Sequence, residues 1–433
     1  MRLESVHIQD FRAIRDLEIR LDRSLTILHG ENGQGKTSVL NAIALGLRRI
    51  PELLGGVKAE DFDPQDVRLG QLFSIIDLQS FDDLRWSERL YSSTLTKNTR
   101  KGRENKDATR PDLRDQMKAL AEKIQTDEKV DLPIIAYYDT ERAVFWTPQR
   151  MRDFAQAFDR LDAYGDALNV KTSFKALFEW FYAKESDELR LQRDTDDRNR
   201  RLPELNAVRR AIEGMLPQIS DPHIETNPLR FTVRIDAADG NYKRLALDQL
   251  SGGYRIMLAL ACDLARRMAL ANPHLDDPLM SEGIVLIDEV ELHLHPSWQQ
   301  RVLADLQNTF PNTQFIVSTH SPQVLTTARP DQIIGLAVEN DNVVAVRETV
   351  PTFGNEAGDV LYTVMGVDER PPGPYSDKLR AYRDMVALDQ GEMPDAVALR
   401  EQIQPQSPDD PVWDALDTEI RRRRMMRDYV KQA

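Results

Sequence analysis

Residues 30–37 read GENGQGKT and match the pattern G-x-x-x-x-G-K-[ST] of a phosphate-binding loop. An apolar run over residues 25–28 precedes this loop, and a helical pattern over residues 38–47 follows it. The loop therefore joins a buried strand to the N-terminus of a helix, where backbone N–H groups face an anion. This arrangement predicts an α/β fold.

The composition of the loop predicts ATP and Mg²⁺ as its ligands. Lys36 can reach the β- and γ-phosphates, and the Thr37 hydroxyl can ligate Mg²⁺. A glycine-rich turn that matches by accident is the alternative, and the flanking strand and helix count against it. The nucleotide-binding residues predicted in and beside the loop are Gly30, Asn32, Gly33, Gly35, Lys36, Thr37 and Ser38.

An acidic pair follows a second buried strand more than two hundred residues later. Residues 283–287 are continuously apolar, as in a parallel strand covered on both faces, and Asp288 and Glu289 come next. His320 ends another strand pattern. Because ligands lie beyond the carboxyl ends of the strands of an open α/β sheet, we expect these residues near Lys36.

Each of these strand-end residues has a predicted role. Asp288 is the expected Mg²⁺ partner, since a hard cation prefers oxygen ligands. Glu289 is placed to polarise the water that attacks the γ-phosphate, and His320 to contact that phosphate. A simple acidic turn is the alternative for the pair. Between the two strands, a crossover helix is predicted from apolar residues at four-residue spacing, Trp298, Val302, Leu306 and Phe310.

Ser251, Gly252 and Gly253 precede another helical pattern over residues 256–270. A hydroxyl and backbone amides at the start of a helix predict a second anion site. We expect this site to serve a different nucleotide from the one that Lys36 holds.

The composition places limits on partners and location. The chain has 433 residues and a formal net charge of −14, so the protein as a whole does not attract nucleic acid, although a local basic face could. Its single cysteine, Cys262, excludes an internal disulfide framework and is interpreted as a packed core thiol. No apolar run approaches the length of a membrane span. These features predict a soluble cytoplasmic protein.

The segment pattern predicts four parts. Residues 1–95 and 224–350 supply the two halves of an ATPase head, and residues 96–223 form a mostly helical insert. Residues 351–433 form a helical C-terminal tail. The insert contains an exposed basic loop, interpreted as a solvated segment with phosphate-backbone contact as the alternative; its cations are Lys97, Arg100, Lys101, Arg103, Lys106 and Arg110.

These motifs resemble the ABC-type ATPase heads of the SMC, RecF and overcoming-lysogenization-defect (OLD) group. The resemblance implies a mixed sheet with flanking helices and a dimer in which the Ser251 motif of one subunit caps ATP held by Lys36 of another. It also implies that Arg12 lies near the nucleotide. Tyr254 stands where transporters usually have Gln, and Gln65 and Gln79 both remain candidates for the group's Q-loop.

Residues 293–296 (HLHP), with Glu291 and His320, suggest a metal site as one interpretation. The pattern of residues 288–296 also resembles the loop after the acidic motif in OLD-related ATPases, where that loop lies at the dimer contact. The second interpretation is favoured here, with Mg²⁺ as the only expected metal.

Three more segments resemble the ATPase subunit of Septu-type anti-phage systems (PtuA) and its retron-associated relatives; they are residues 132–142, 174–181 and 362–370. The resemblance implies an ATPase that works beside a separate HNH nuclease. No histidine follows His320, so we expect the chain to lack an HNH centre of its own. The alternative is a RecF-like DNA-repair ATPase that binds DNA directly.

Overall fold

A computed structural model of the chain describes residues 1–55, 63–92, 111–126, 129–140, 158–168, 174–236, 240–368 and 370–432. The chain divides into two compact units, Met1–Val360 and Leu361–Ala433. Among the described residues, no helix combines the length and the apolar character that a membrane crossing requires.

The first unit is an α/β structure. Its strands are β1 (Leu3–Phe11), β2 (Ile14–Arg20), β3 (Leu25–His29), β4 (Phe73–Ser80), β5 (Arg85–Tyr91), β6 (Ile134–Tyr138), β7 (Ile219–Thr226), β8 (Leu229–Asp236), β9 (Tyr242–Ala246), β10 (Gly283–Ile287), β11 (Thr313–Thr319), β12 (Ile333–Glu339) and β13 (Asn342–Arg347). The helices up to its boundary are α1 (Lys36–Leu47), α2 (Arg49–Leu54), α3 (Pro111–Gln125), α4 (Phe174–Thr195), α5 (Pro203–Met215), α6 (Gly252–Ala271), α7 (Pro296–Gln299), α8 (Val302–Thr309), α9 (Pro322–Leu325) and α10 (Ala357–Thr363).

The largest sheet has six strands in the order β13-β12-β3-β11-β10-β6. Every pairing in it is parallel except that of β12 with β13. All residues of β3, β6, β10 and β11 are buried, as expected for parallel strands covered on both faces, and β6 and β10 are apolar throughout. The carboxyl ends of these four parallel strands meet at one edge of the sheet, and that edge carries the site.

Two antiparallel sheets complete the first unit. One has the order β2-β1-β4-β5, with alternating burial along β2 and β4, as expected for strands that cover the core with one face. The other has the order β7-β8-β9 and leads the chain to α6. Phe231 of β8 makes edge-to-face contacts with Phe174 and Phe181 of α4, so the aromatic spacing of this helix serves its packing.

A buried ion-pair cluster ties α6 to the end of β6. Asp263 accepts hydrogen bonds from Arg266 (2.8 Å), Arg267 (2.7 Å) and the Tyr138 hydroxyl (3.0 Å), and all four residues are buried. Burial would raise the pKa of Asp263, but the Arg267 and Arg266 guanidinium groups hold it well below its usual range. Arg267 also donates to two backbone carbonyl groups. Cys262 is buried beside this cluster, and burial raises the pKa of its thiol.

The second unit contains the helices α11 (Pro374–Ala387), α12 (Pro394–Ile403) and α13 (Val412–Gln432). They enclose a small core in which Tyr382 and Trp413 lie 6.1 Å apart between ring centroids. Two arginine–aspartate pairs connect its segments: Arg400 of α12 pairs with Asp417 of α13, and Arg370 pairs with Asp410, which precedes α13.

The predicted fold class is confirmed: the chain has a mixed sheet with flanking helices and a helical C-terminal region. The predicted single crossover helix is wrong, because α7 and α8 are separated at Gln300 and Arg301, where the Arg301 N–H bonds the carbonyl of Trp298, three residues back. The range 96–223 also supplies β6 to the main sheet. The second compact unit begins at Leu361, later than residue 351, where the tail is predicted to begin. The basic loop from Lys97 to Arg110 lies outside the described residues.

Candidate functional site

The phosphate-binding loop connects β3 to α1 at the carboxyl edge of the six-stranded sheet. The Lys36 ammonium donates hydrogen bonds to the carbonyl oxygens of Gly30 (2.8 Å) and Glu31 (2.9 Å). The loop is thus already curved around its own lysine. Asn32 and Gly33 are exposed at its tip, and Ser38 lies in the first turn of α1.

Gly35 is required where it stands. Its φ of 93° lies in the left-handed region, and a Cβ on it would come within 3.2 Å of the Val343 side chain. Val343 belongs to β13, so the β12–β13 hairpin packs directly against the base of the loop. The position of the loop is therefore fixed by the sheet edge as well as by its own glycines.

Asp288 meets the phosphate-binding loop across 251 residues of sequence. Its backbone N–H donates to the carbonyl of Tyr138 (2.8 Å), which continues the pairing of β10 with β6 past the end of the strand. Its Oδ2 accepts a hydrogen bond from the Thr37 hydroxyl (2.7 Å), and its Oδ1 accepts one from the buried Ser318 hydroxyl. A carboxylate and a hydroxyl in this contact are the oxygen donors that Mg²⁺ prefers, so these residues fit that ion.

Glu289 adopts an uncommon backbone conformation. Its φ is 46°, and its N–H donates to the Ser318 hydroxyl (2.8 Å). A left-handed conformation costs a non-glycine residue about 1–2 kcal/mol and persists where the surroundings enforce it. Here the enforcing contacts include the Val290 N–H, which donates to the Ser318 carbonyl (3.0 Å).

His320 follows the last residue of β11 and is held by a carboxylate. Glu291 accepts a hydrogen bond from the His320 N–H on Oε1 (2.6 Å) and one from the Thr319 hydroxyl on Oε2 (2.7 Å). Both oxygens of Glu291 are therefore engaged by the end of β11. His295 caps α7 and lies 2.9 Å from the Ser297 hydroxyl. Within the described residues, no three His, Cys, Asp or Glu side chains converge as a metal-binding group.

The electrostatics of Lys36 reflect this setting. Burial lowers the pKa of Lys36, and the nearby charges of Asp288, Glu289 and Glu291 oppose that shift. The acidic turn therefore helps to keep a buried lysine charged. A charged lysine is the form that can bind a polyphosphate.

Arg12 is fixed by contacts on two sides. It has a φ of 49°, and its Nε donates to the Asp66 carboxylate (2.8 Å). With its amide oxygen toward the guanidinium group, Asn41 of α1 accepts from Nη1 of Arg12 (2.8 Å) and donates to the Tyr137 hydroxyl (2.9 Å). Arg12 is thus attached to the helix that follows the phosphate-binding loop. Of the two Q-loop candidates, Gln79 donates to Glu4 within the four-stranded sheet.

The Ser251 motif forms the start of α6 and packs on the turn after the acidic pair. Ser251 is exposed, and its side chain makes no capping hydrogen bond to the helix. A Cβ on Gly253 would lie 2.8 Å from the backbone oxygen of His293, so glycine is needed for this close approach. Tyr254 donates to Gln218 (2.6 Å) and contacts Trp298 edge to face at 4.4 Å, which gives it a packing role.

The structure brings several of the predicted residues together. Lys36 and Thr37 meet Asp288 and its neighbours, while Gly252 and Gly253 lie against the His293 turn. Sequence reasoning missed Ser318 and the hydrogen bonds of Glu291. The sequence did contain one signal for these contacts. Ser318 and Thr319 come immediately before His320, at the end of β11, and β11 pairs with the strand β10 that Asp288 follows.

The comparisons with known proteins agree with this geometry. Residues 5–220 match the family model described as an AAA domain. The retron Ec83 probable ATPase of Escherichia coli is 28% identical, over 100% of this chain and 89% of that protein. The Septu protein PtuA of Bacillus mycoides is 36% identical over a shorter stretch, 28% of this chain and 16% of that protein.

Among solved structures, an Smc head domain from Pyrococcus furiosus covers 80% of this chain and 96% of its own, at 18% identity and a TM-score of 0.45. The loop, the acidic motif and the sequence matches point the same way: the chain is similar to an AAA domain over residues 5–220, to the retron Ec83 probable ATPase and, over a shorter stretch, to the Septu protein PtuA.

Proposed function

We propose that this chain is the ATP-binding and ATP-hydrolysing subunit of an anti-phage defence complex. The hydrogen bond from Thr37 to Asp288, at 2.7 Å, is the observation that carries the proposal. It joins the phosphate-binding loop to the acidic motif, as a nucleotide site requires. Similarity to retron and Septu proteins supports the assignment to defence.

Each residue of the proposed site has its own role in ATP binding or hydrolysis. When ATP binds, Lys36 exchanges its two loop carbonyl partners for phosphate oxygens, and the backbone N–H groups of the loop surround the same phosphates. Thr37 and Asp288 would hold Mg²⁺, which supplies charge neutralisation at the phosphates. Glu289 accepts a proton from the attacking water, and His320 contacts the γ-phosphate. Arg12 approaches the nucleotide from the side of α1.

We further propose that two subunits share each ATP. The exposed Ser251 hydroxyl makes no capping bond in its own helix, and the start of α6 adds backbone N–H groups to it. A second chain can therefore place this motif on ATP bound to the first. Two-fold symmetry then gives two equal sites. The further proposed partner is a separate HNH nuclease that the ATPase scaffolds and restrains, with nucleic acid as the target of the complex.

Glu289→Gln tests the shared site. The variant should bind Mg·ATP without turning it over, and sedimentation velocity should then show a dimer that Lys36→Ala does not form. If only monomers sediment for Glu289→Gln at saturating Mg·ATP, the composite site is wrong.

Co-expression with the product of the adjacent reading frame tests the partner. The proposal predicts a complex that elutes as one species in size exclusion. Separate elution of the two proteins would contradict a nuclease scaffold.

A further inference from the structure

Glu291 makes a two-point contact with the strand end that carries His320. Its Oε1 accepts from the His320 backbone N–H at 2.6 Å, and its Oε2 accepts from the Thr319 hydroxyl at 2.7 Å. Hydrogen bonds to an ionised carboxylate are stronger than neutral ones and fix geometry more tightly. The Ser321 N–H in turn donates to the Thr319 hydroxyl oxygen (3.0 Å), which extends the network by one residue.

This contact is the last of a series that fastens the acidic turn to β11. The Ser318 hydroxyl joins Asp288 and the Glu289 N–H, and the Ser318 carbonyl receives the Val290 N–H. These bonds hold the turn at Ser318. The Glu291 carboxylate adds a hydrogen bond to His320, two residues after Ser318.

Glu289 and His320 follow the ends of different strands, β10 and β11, so their separation depends on such cross-strand bonds. A water aligned by Glu289 and a γ-phosphate contacted by His320 react only if both groups are held to within about 0.5 Å. Glu289 in addition has a left-handed backbone, which its surroundings must maintain. A carboxylate that anchors the turn directly to the His320 backbone meets this requirement.

We propose that Glu291 is a positioning residue for ATP hydrolysis, which fixes His320 relative to Glu289. The inference rests on the proposed ATPase function and adds a residue to it. Glu291 acts through the backbone of His320 and the side chain of Thr319. Its role is therefore expected in turnover more than in nucleotide affinity.

Two variants separate geometry from charge. Glu291→Ala removes both acceptors. Glu291→Gln keeps an acceptor for the His320 N–H, and its amide can donate to the Thr319 oxygen, so the contact survives without the charge. We expect a loss in kcat of about 100-fold for alanine, with rescue to within about tenfold of wild type for glutamine.

Glu185 provides a matched control. It accepts from the Ile224 backbone N–H (3.1 Å) and lies 2.6 Å from the His223 ring, so it also holds one strand through two contacts. It belongs to α4 and contacts β7 of the three-stranded sheet, outside the site. Glu185→Ala should keep kcat within about twofold of wild type, because losing such a contact there moves no reacting group.

The experiment measures steady-state hydrolysis of Mg·ATP and binding of a fluorescent ATP analogue, using the full chain. The expected result is a fall in kcat for Glu291→Ala, with KM and analogue affinity within about threefold of wild type. If wild type hydrolyses ATP and Glu291→Ala retains kcat within about twofold, the inference is overturned and the proposed function stands. If wild type binds the analogue without hydrolysing ATP, both are overturned.

Thr319→Val keeps the test decisive if Glu291→Ala does not fold. It removes one of the two donors and leaves the His320 contact in place, so kcat should fall by about three- to tenfold, the effect of losing one positioning bond. In the Glu291→Gln and Thr319→Val double variant, the factor by which kcat falls should be smaller than the product of the two single-variant factors, since both changes act on one contact. Unchanged kcat in Thr319→Val overturns the inference.

Discussion

Replacing Asp263 by alanine should destabilise the first unit through its buried charges. The change removes a carboxylate that accepts from Arg266, Arg267 and Tyr138, and leaves two buried guanidinium groups without that counter-charge. Breaking a buried ion pair in this way costs about 3–5 kcal/mol. With an unfolding entropy of about 2.1 cal/mol/K per residue over Met1–Val360, the melting midpoint should fall by about 4–7 °C.

Differential scanning calorimetry of the full chain measures this shift. Asp236→Ala is the control, because Asp236 pairs with Arg234 at the surface and is 51% exposed. A surface pair contributes at most about 1 kcal/mol, so the control should shift by less than about 2 °C. Equal shifts in the two variants would refute the reasoning.

The pH dependence of the Asp263 effect has a definite sign. The folded-state pKa of this group is depressed, so its stabilisation is present above the unfolded-state value of about 3.9 and is lost only as pH falls through the folded-state value. The midpoint difference between wild type and Asp263→Ala should therefore be the same at about pH 5 and about pH 8. A difference that collapses between these two values would contradict the assignment of a charged Asp263.

Three shorter predictions concern other contacts. Thr37→Ala should raise the Mg²⁺ concentration for half-maximal hydrolysis and Thr37→Ser should not, since serine keeps the hydroxyl; equal Mg²⁺ titrations would argue against the metal role. Gly253→Ala should lower the melting midpoint more than Gly252→Ala, because the new Cβ would lie 2.8 Å from a backbone oxygen in the first and no closer than 3.9 Å to any side chain in the second. The Glu185 hydrogen bond raises the pKa of His223, so its stabilisation is present below about pH 6.5 and is lost as pH rises through the folded-state value. The midpoint difference between wild type and His223→Gln should accordingly be larger at about pH 6 than at about pH 9, and a constant difference would contradict the pairing.

The sequence predicts which residues meet at the site, because parallel strands of one sheet end at the same edge. Once residues 25–28 and 283–287 are identified as buried strands of one sheet, their carboxyl ends must lie at one edge. Thr37 and Asp288 follow those strands, and the structure places them 2.7 Å apart.

The contacts that fix the site in detail were beyond sequence reasoning. Ser318 and Glu291 act through hydrogen bonds between neighbouring strands, and no periodicity reports such partners. The close approach of Gly253 to His293 likewise joins segments that only the folded turn brings together. The interruption at Arg301 depends on a local three-residue hydrogen bond that apolar spacing does not register.

Tyr138 contacts both the acidic motif and α6, the helix that Ser251 precedes. Its carbonyl oxygen receives the Asp288 N–H, and its hydroxyl donates to Asp263 of α6. Asp263 lies 12 residues after Ser251, a distance of about 18 Å along a helix at about 1.5 Å per residue. A rotation of α6 by about 5° about Asp263 would move Ser251, at the start of the helix, by about 1.5 Å. This is about half the length of a hydrogen bond. In the shared site proposed above, a displacement of this size would bring the Ser251 hydroxyl into hydrogen-bond range of a phosphate or take it out of range.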